Sequence, residues 1–106
     1  MSVSEAVKYL AECPEEYAQA IHEEARLEQL AKNFKAVLMD DCDEKSMTAK
    51  EAWAMRQPEY RDITEKQLPD ARRRVAYHKA KGKWADMVIE VWRTQNANKR
   101  AAERVR

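Results

Sequence analysis

Arg72, Arg73, Arg74, Lys79, Lys81 and Lys83 crowd into one short stretch, RRRVAYHKAKGKW (72–84), interleaved with Tyr77 and Trp84. Cations at this density neutralise phosphates, and exposed aromatic faces stack on unpaired bases. On a helix, Arg73, Tyr77, Lys81 and Trp84 fall at i, i+4, i+8 and i+11, along one strip. Charge combined with stacking suits a single strand better than a duplex, whose bases are already stacked. No helix-turn-helix, zinc-finger or RNP-type pattern marks a reader of base sequence, so binding without sequence specificity is the expectation. The competing reading packs Tyr77 and Trp84 against another helix or subunit and leaves the cations in water. Lys99, Arg100, Arg104 and Arg106 add a basic tail over about residues 97–106, expected to fray when free. The tail could reach a phosphate backbone or the acidic face of a neighbouring subunit.

Other chemistry finds less support. His22 and His78 are the only histidines, and neither has a partner at metal-ligand spacing, so no metal and no cofactor are expected. His78 falls in an apolar stripe, where a hydrogen-bonded packing role is the ordinary one. Cys42 lies among carboxylates, which work against a thiolate, and Cys13 precedes Pro14 as a small packing residue. Two cysteines are too few for a disulfide framework. The acidic run DDCDEKS (40–46) lacks the glycine and the terminal glutamate of a calcium loop and reads as a solvated turn. A single glycine in 106 residues excludes Gly-rich phosphate loops and most tight hairpins. No nucleophile with an adjacent base can be assembled, and the expectation is a protein that is not an enzyme.

The elements that must position these residues are helices. Ser2 and Glu5 have capping-box spacing and predict a helix from about Val3 to Glu12; Thr48 and Glu51 predict another, ending at Gln57–Pro58. Between them, Pro14 restarts the chain into a helix reaching about Met39, with Leu27, Leu30, Phe34 and Val37 at coiled-coil spacing. Thr64, Leu68, Ala71, Val75, His78, Gly82, Ala85, Ile89, Trp92 and Asn96 alternate four and three apart and predict a long helix from Glu59 to Ala97, about 58 Å in length. Pro69 should kink this helix without dividing it, because the heptad phase survives across it. The fold expected is all-α: one helical domain over residues 1–106, a long antiparallel coiled-coil-like hairpin with short flanking helices. Leu30, Phe34 and Val37 would fill the space left by the small seam residues Ala71, Gly82 and Ala85. So thin a hairpin calls for completion by oligomerisation, with Leu68, Val75, His78, Ile89 and Trp92 in the core or the oligomer contact.

The net charge of +1 conceals a division. Residues 1–70 carry nine Lys/Arg against sixteen Asp/Glu; residues 71–106 carry eleven against three. Such a split points to an acidic partner for the second half or to neutralisation of one half by the other. No stretch has the apolar length of a membrane span, and MSVSEAVKYL lacks the basic start and apolar run of a secretory signal. The expected setting is cytoplasmic and reducing, with no membrane partner.

PEYRD (58–62), a long charged helix and the closing IEVWRTQNANKR (89–100) together resemble small helical phage proteins of the UvsY-like recombination-mediator kind. The resemblance spans roughly residues 15–100. It implies a ring-like homo-oligomer that binds single-stranded DNA and helps a recombinase load where single-strand-binding protein coats the strand, in the host cytoplasm. A small, highly charged chain without an active site also fits an inhibitor or adaptor that occupies a host or defence protein, its acidic half acting as a DNA mimic. A purely structural coiled-coil assembly factor is the third reading.

Overall fold

The computed structural model describes residues 1–105. Arg106, the last cation of the basic tail, lies outside the described residues. Ser2 starts the first helix as its sequence position predicts: its hydroxyl accepts the Glu5 amide at 3.1 Å and satisfies one of the free N–H groups of the first turn. Helix α1 covers Val3–Glu12, and Pro14, whose missing N–H costs nothing in a first turn, opens α2 (Pro14–Asp40). Helix α3 (Met47–Met55) follows the acidic turn. Its cap is Ser46, which accepts the Ala49 amide at 3.1 Å, and not the expected Thr48; Glu51 reaches Lys35 Nζ at 2.6 Å instead. Helix α4 (Pro58–Asp62), a π-helical turn (Ile63–Gln67) and α5 (Leu68–Val105) complete the chain. Among the described residues there is no strand, and the all-helical expectation holds.

The π turn explains how Pro69 is tolerated. A proline inside a helix removes one N–H and presses its ring on the carbonyl four residues earlier. Widening the preceding turn, with the Leu68 N–H bonded to the Ile63 carbonyl, relaxes that crowding at the cost of one irregular turn. The chain stays helical from Pro58 to Val105, so Pro69 does not divide it. Asn96 donates back to the Trp92 carbonyl at 3.1 Å, and α5 runs past the expected end at Ala97 to Val105.

The chain forms two units. Unit 1 comprises Met1–Ala18 with Ala76–Arg106, and unit 2 comprises Gln19–Val75. In unit 1, α1 runs antiparallel to α5, burying Ala6, Tyr9 and Ala85, with Met1, Cys13, Val88 and Ile89 packed around them. Ala6 and Ala85 are fully buried, which lets the two backbones approach closely. In unit 2, Leu27 of α2 packs on Leu68 and Ala71 of α5, a hairpin contact flanked by the Arg72–Glu28 ion pair at 3.5 Å.

The α5 seam is where the heptad reading puts it. Leu68, Ala71 and Ala85 are buried, and Val75, His78, Gly82 and Ile89 half-buried. Three details are corrected. Trp92 is exposed, so of its two expected places, core or oligomer contact, it does not take the core of the chain. Leu30 and Val37 are exposed as well; α2 turns Leu27, Ala31, Phe34 and Leu38 inward, keeping Leu27, Phe34 and Leu38 of the apolar stripe that the sequence offers but taking Ala31 in place of Leu30 and Val37. No close approach occurs at Gly82, where an added Cβ would meet nothing within 4 Å.

Candidate nucleic-acid interface

In unit 1 the interface is a run of α5 side chains held from behind by α1 and the start of α2. His78 is the fixed point. Tyr9 and Tyr17 stack on its ring with centroids at 6.3 and 6.1 Å, and Tyr77 meets it edge-on at 5.3 Å. The Tyr9 hydroxyl lies 3.0 Å from His78 Nδ1 and 3.1 Å from the His78 carbonyl. A hydroxyl has one proton; given to the carbonyl, it leaves Nδ1–H as the donor to the Tyr9 oxygen. Burial pushes the Tyr9 phenol above its ordinary pKa, with Cys13 adding to the shift and Lys81 opposing it.

Lys81 projects beside this stack. Its Nζ stands 4.8 Å from the Tyr9 ring centroid and 5.5 Å from that of Tyr77, and it donates to the Tyr77 hydroxyl at 3.3 Å. That hydrogen bond raises the Lys81 pKa and keeps the ammonium charged. Tyr77 thereby holds the cation in place while keeping about half its own surface open. Lys79 and Lys83 are exposed, and among the described residues Lys79, Lys81 and Lys83 have no ion-pair partner. Lys99 and Arg100 are likewise exposed and unpaired, on the last turns of α5.

The arginines behave differently. In unit 2, Arg73 and Arg74 share Asp70 at 3.1 and 3.0 Å, and Arg72 faces Glu28. The excess of cations over acids in residues 71–106 does not leave these three unpaired, because their partners, Asp70 and Glu28, come from the acidic half. All are exposed, so the pairs are weak and exchangeable.

Trp84 is 51% exposed and Trp92 48%. Both line an open groove of about 480 Å³ whose other walls include Met1, Val3, Val88 and Gln95. The seam reading missed this groove because it counted Trp92 into the core or an oligomer contact; the spacing of 84, 88, 92 and 95 along one side of α5 was the available signal. Among the described residues no group of His, Cys, Asp and Glu could hold a metal ion, both cysteines are free, and no helix is long and apolar enough to cross a membrane. No protein-family model, no curated protein and no solved structure matches the chain.

Proposed function

We propose that this is a non-enzymatic accessory protein that binds single-stranded DNA without sequence specificity, through the α5 face that runs from Tyr77 to Trp84. The observation that carries the reading is the strip on which the unpaired ammonium group of Lys81 stands between open aromatic rings at Tyr77 and Trp84; the unpaired Lys79 and Lys83 lie on the opposite flank of the same helix. Lys81 takes a phosphate beside Tyr77 and Trp84, which offer flat faces to bases that no complementary strand covers, and Lys79 and Lys83 add cationic charge on the other flank of α5. Lys99 and Arg100 extend the cationic surface along the same helix. Arg72, Arg73 and Arg74 add phosphate contacts only by releasing Glu28 and Asp70. In the setting implied by the resemblance of residues 58–62 and 89–100, the activity is assistance to recombinase loading by a homo-oligomer, with a recombinase or single-strand-binding protein as partner.

A labelled oligo-dT strand titrated with the protein tests this directly. Binding that weakens steeply with salt and with Lys81→Ala or Trp84→Ala supports the reading; binding indifferent to both substitutions rejects it. A second reading, an adaptor that occupies another protein, draws on the exposed apolar side chains Ile21, Leu30 and Val37 of α2. Stable capture of one protein together with no affinity for any nucleic acid favours it.

A further inference from the structure

Trp92, counted from sequence as a core or oligomer-contact residue, faces the same side of α5 as Trp84 and opens into the same groove. Tyr77, Lys81, Trp84, Val88, Trp92, Gln95 and Lys99 succeed one another at spacings of four and three, so they form one strip about 33 Å long. Three aromatic rings lie on it. Along the helix a cation precedes and follows the groove: Lys81 before Trp84, its ammonium over Tyr9 in a neighbouring pocket that Glu5 and Glu12 also line, and Lys99 a turn beyond Gln95. No carboxylate lines the groove. An apolar slot walled by two indoles, flanked by unpaired ammonium groups and free of acids suits a ligand that is flat and anionic at once. A protein segment docking there through aliphatic side chains would leave Lys81 and Lys99 without a use.

We infer that the groove formed by Met1, Val3, Val88, Gln95 and the two indoles is a second base-binding site for single-stranded nucleic acid, with Trp92 as its stacking residue. Gln95 presents an amide to base edges, and Lys99 takes the phosphate beyond the stacked base. This inference rests on the strand-binding reading above and moves its footprint one groove further along α5. It also assigns Trp92 a role in place of the oligomer contact that the seam offers it.

The test uses the full chain in three forms, each retaining one of Trp53, Trp84 and Trp92 with the others changed to Phe. On adding oligo-dT at low salt, the Trp84 and Trp92 forms should be quenched and the Trp53 form unchanged. Trp92→Ala in the otherwise native chain should weaken the strand by about 5- to 150-fold, the range for loss of one stacked base. Trp92→Phe should restore most of that affinity, with the helical circular-dichroism signal unchanged in both variants. Binding that quenches Trp84 while Trp92 emission and the Trp92→Ala affinity stay unchanged overturns this site and leaves the strand-binding reading standing. An absence of any binding overturns both. Loss of self-association in Trp92→Ala, with strand affinity intact, makes the groove a contact between copies and overturns the inference.

Discussion

Tyr9 and His78, 69 residues apart in the chain, are joined twice: the Tyr9 hydroxyl reaches both the ring Nδ1 and the backbone carbonyl of His78, and the two rings stack nearly parallel. The pairing fixes α1 to α5 where Lys81 emerges, so it links the stability of unit 1 to the position of a proposed phosphate-binding group. Tyr9→Phe keeps the ring and removes both hydrogen bonds. It should cost about 0.5–1.5 kcal/mol in urea-unfolding measurements. The same variant should weaken strand binding only slightly, because Lys81 retains its bond to Tyr77.

Alkaline pH should destabilise the protein through the same residue. The folded-state pKa of Tyr9 is raised above its ordinary value of 10.0, so its stabilising contribution is complete below that value and is lost as pH rises through the raised one. Lys35, raised by its hydrogen bond to Glu51, and Lys81, raised by Tyr77, act with the same sign in a window beginning above 10.5. Thermal unfolding followed between about pH 8 and 11 should show Tm falling, and Tyr9→Phe should remove the first part of that slope while leaving the lysine part.

Gly82 and Ala85, one turn apart on α5, should respond in opposite directions to enlargement. Open space surrounds Gly82 inside a helix, so Gly82→Ala should raise stability by about 0.5–1 kcal/mol. Ala85 is fully buried against Ala6 and Tyr9, so Ala85→Leu should overpack that site and cost about 1–3 kcal/mol. Both are read from the midpoint of chemical unfolding.

Much of this architecture was legible in the residues, for identifiable reasons. The α5 seam follows from spacing alone because positions three and four apart share a helix face whatever surrounds them. The inward face of α2 was misjudged because Leu30 and Val37 are larger than Ala31, yet two closely packed helices bury the small residue and leave bulk at the edge. Pro69 announced an irregularity, but its form, a π turn just before it, depends on backbone bonds that no side-chain pattern encodes. At the site, the lysines and aromatics of 77–84 were readable as a strip. The Tyr9–His78–Tyr17 stack and the capture of Arg73 and Arg74 by Asp70 were not, since each depends on which residues folding brings together and on which rotamers they take.

The contrast between unpaired lysines and paired arginines yields its own prediction. Removing Lys79, Lys81 and Lys83 together should lower strand affinity more than removing Arg72, Arg73 and Arg74. For the lysine variant, the slope of log affinity against log salt should flatten by about 0.7 for each phosphate that is no longer neutralised. Asp70→Asn frees Arg73 and Arg74 and should strengthen binding at low salt. Parallel salt titrations of the variants check all three.

The most direct measurement is fluorescence anisotropy of a labelled oligo-dT strand and a matched duplex, each titrated with the protein at two salt concentrations. The account predicts tighter binding of the single strand, tryptophan quenching on the strand alone, and a steep loss of affinity at the higher salt. No binding at low salt, or equal binding of strand and duplex without quenching, would contradict it.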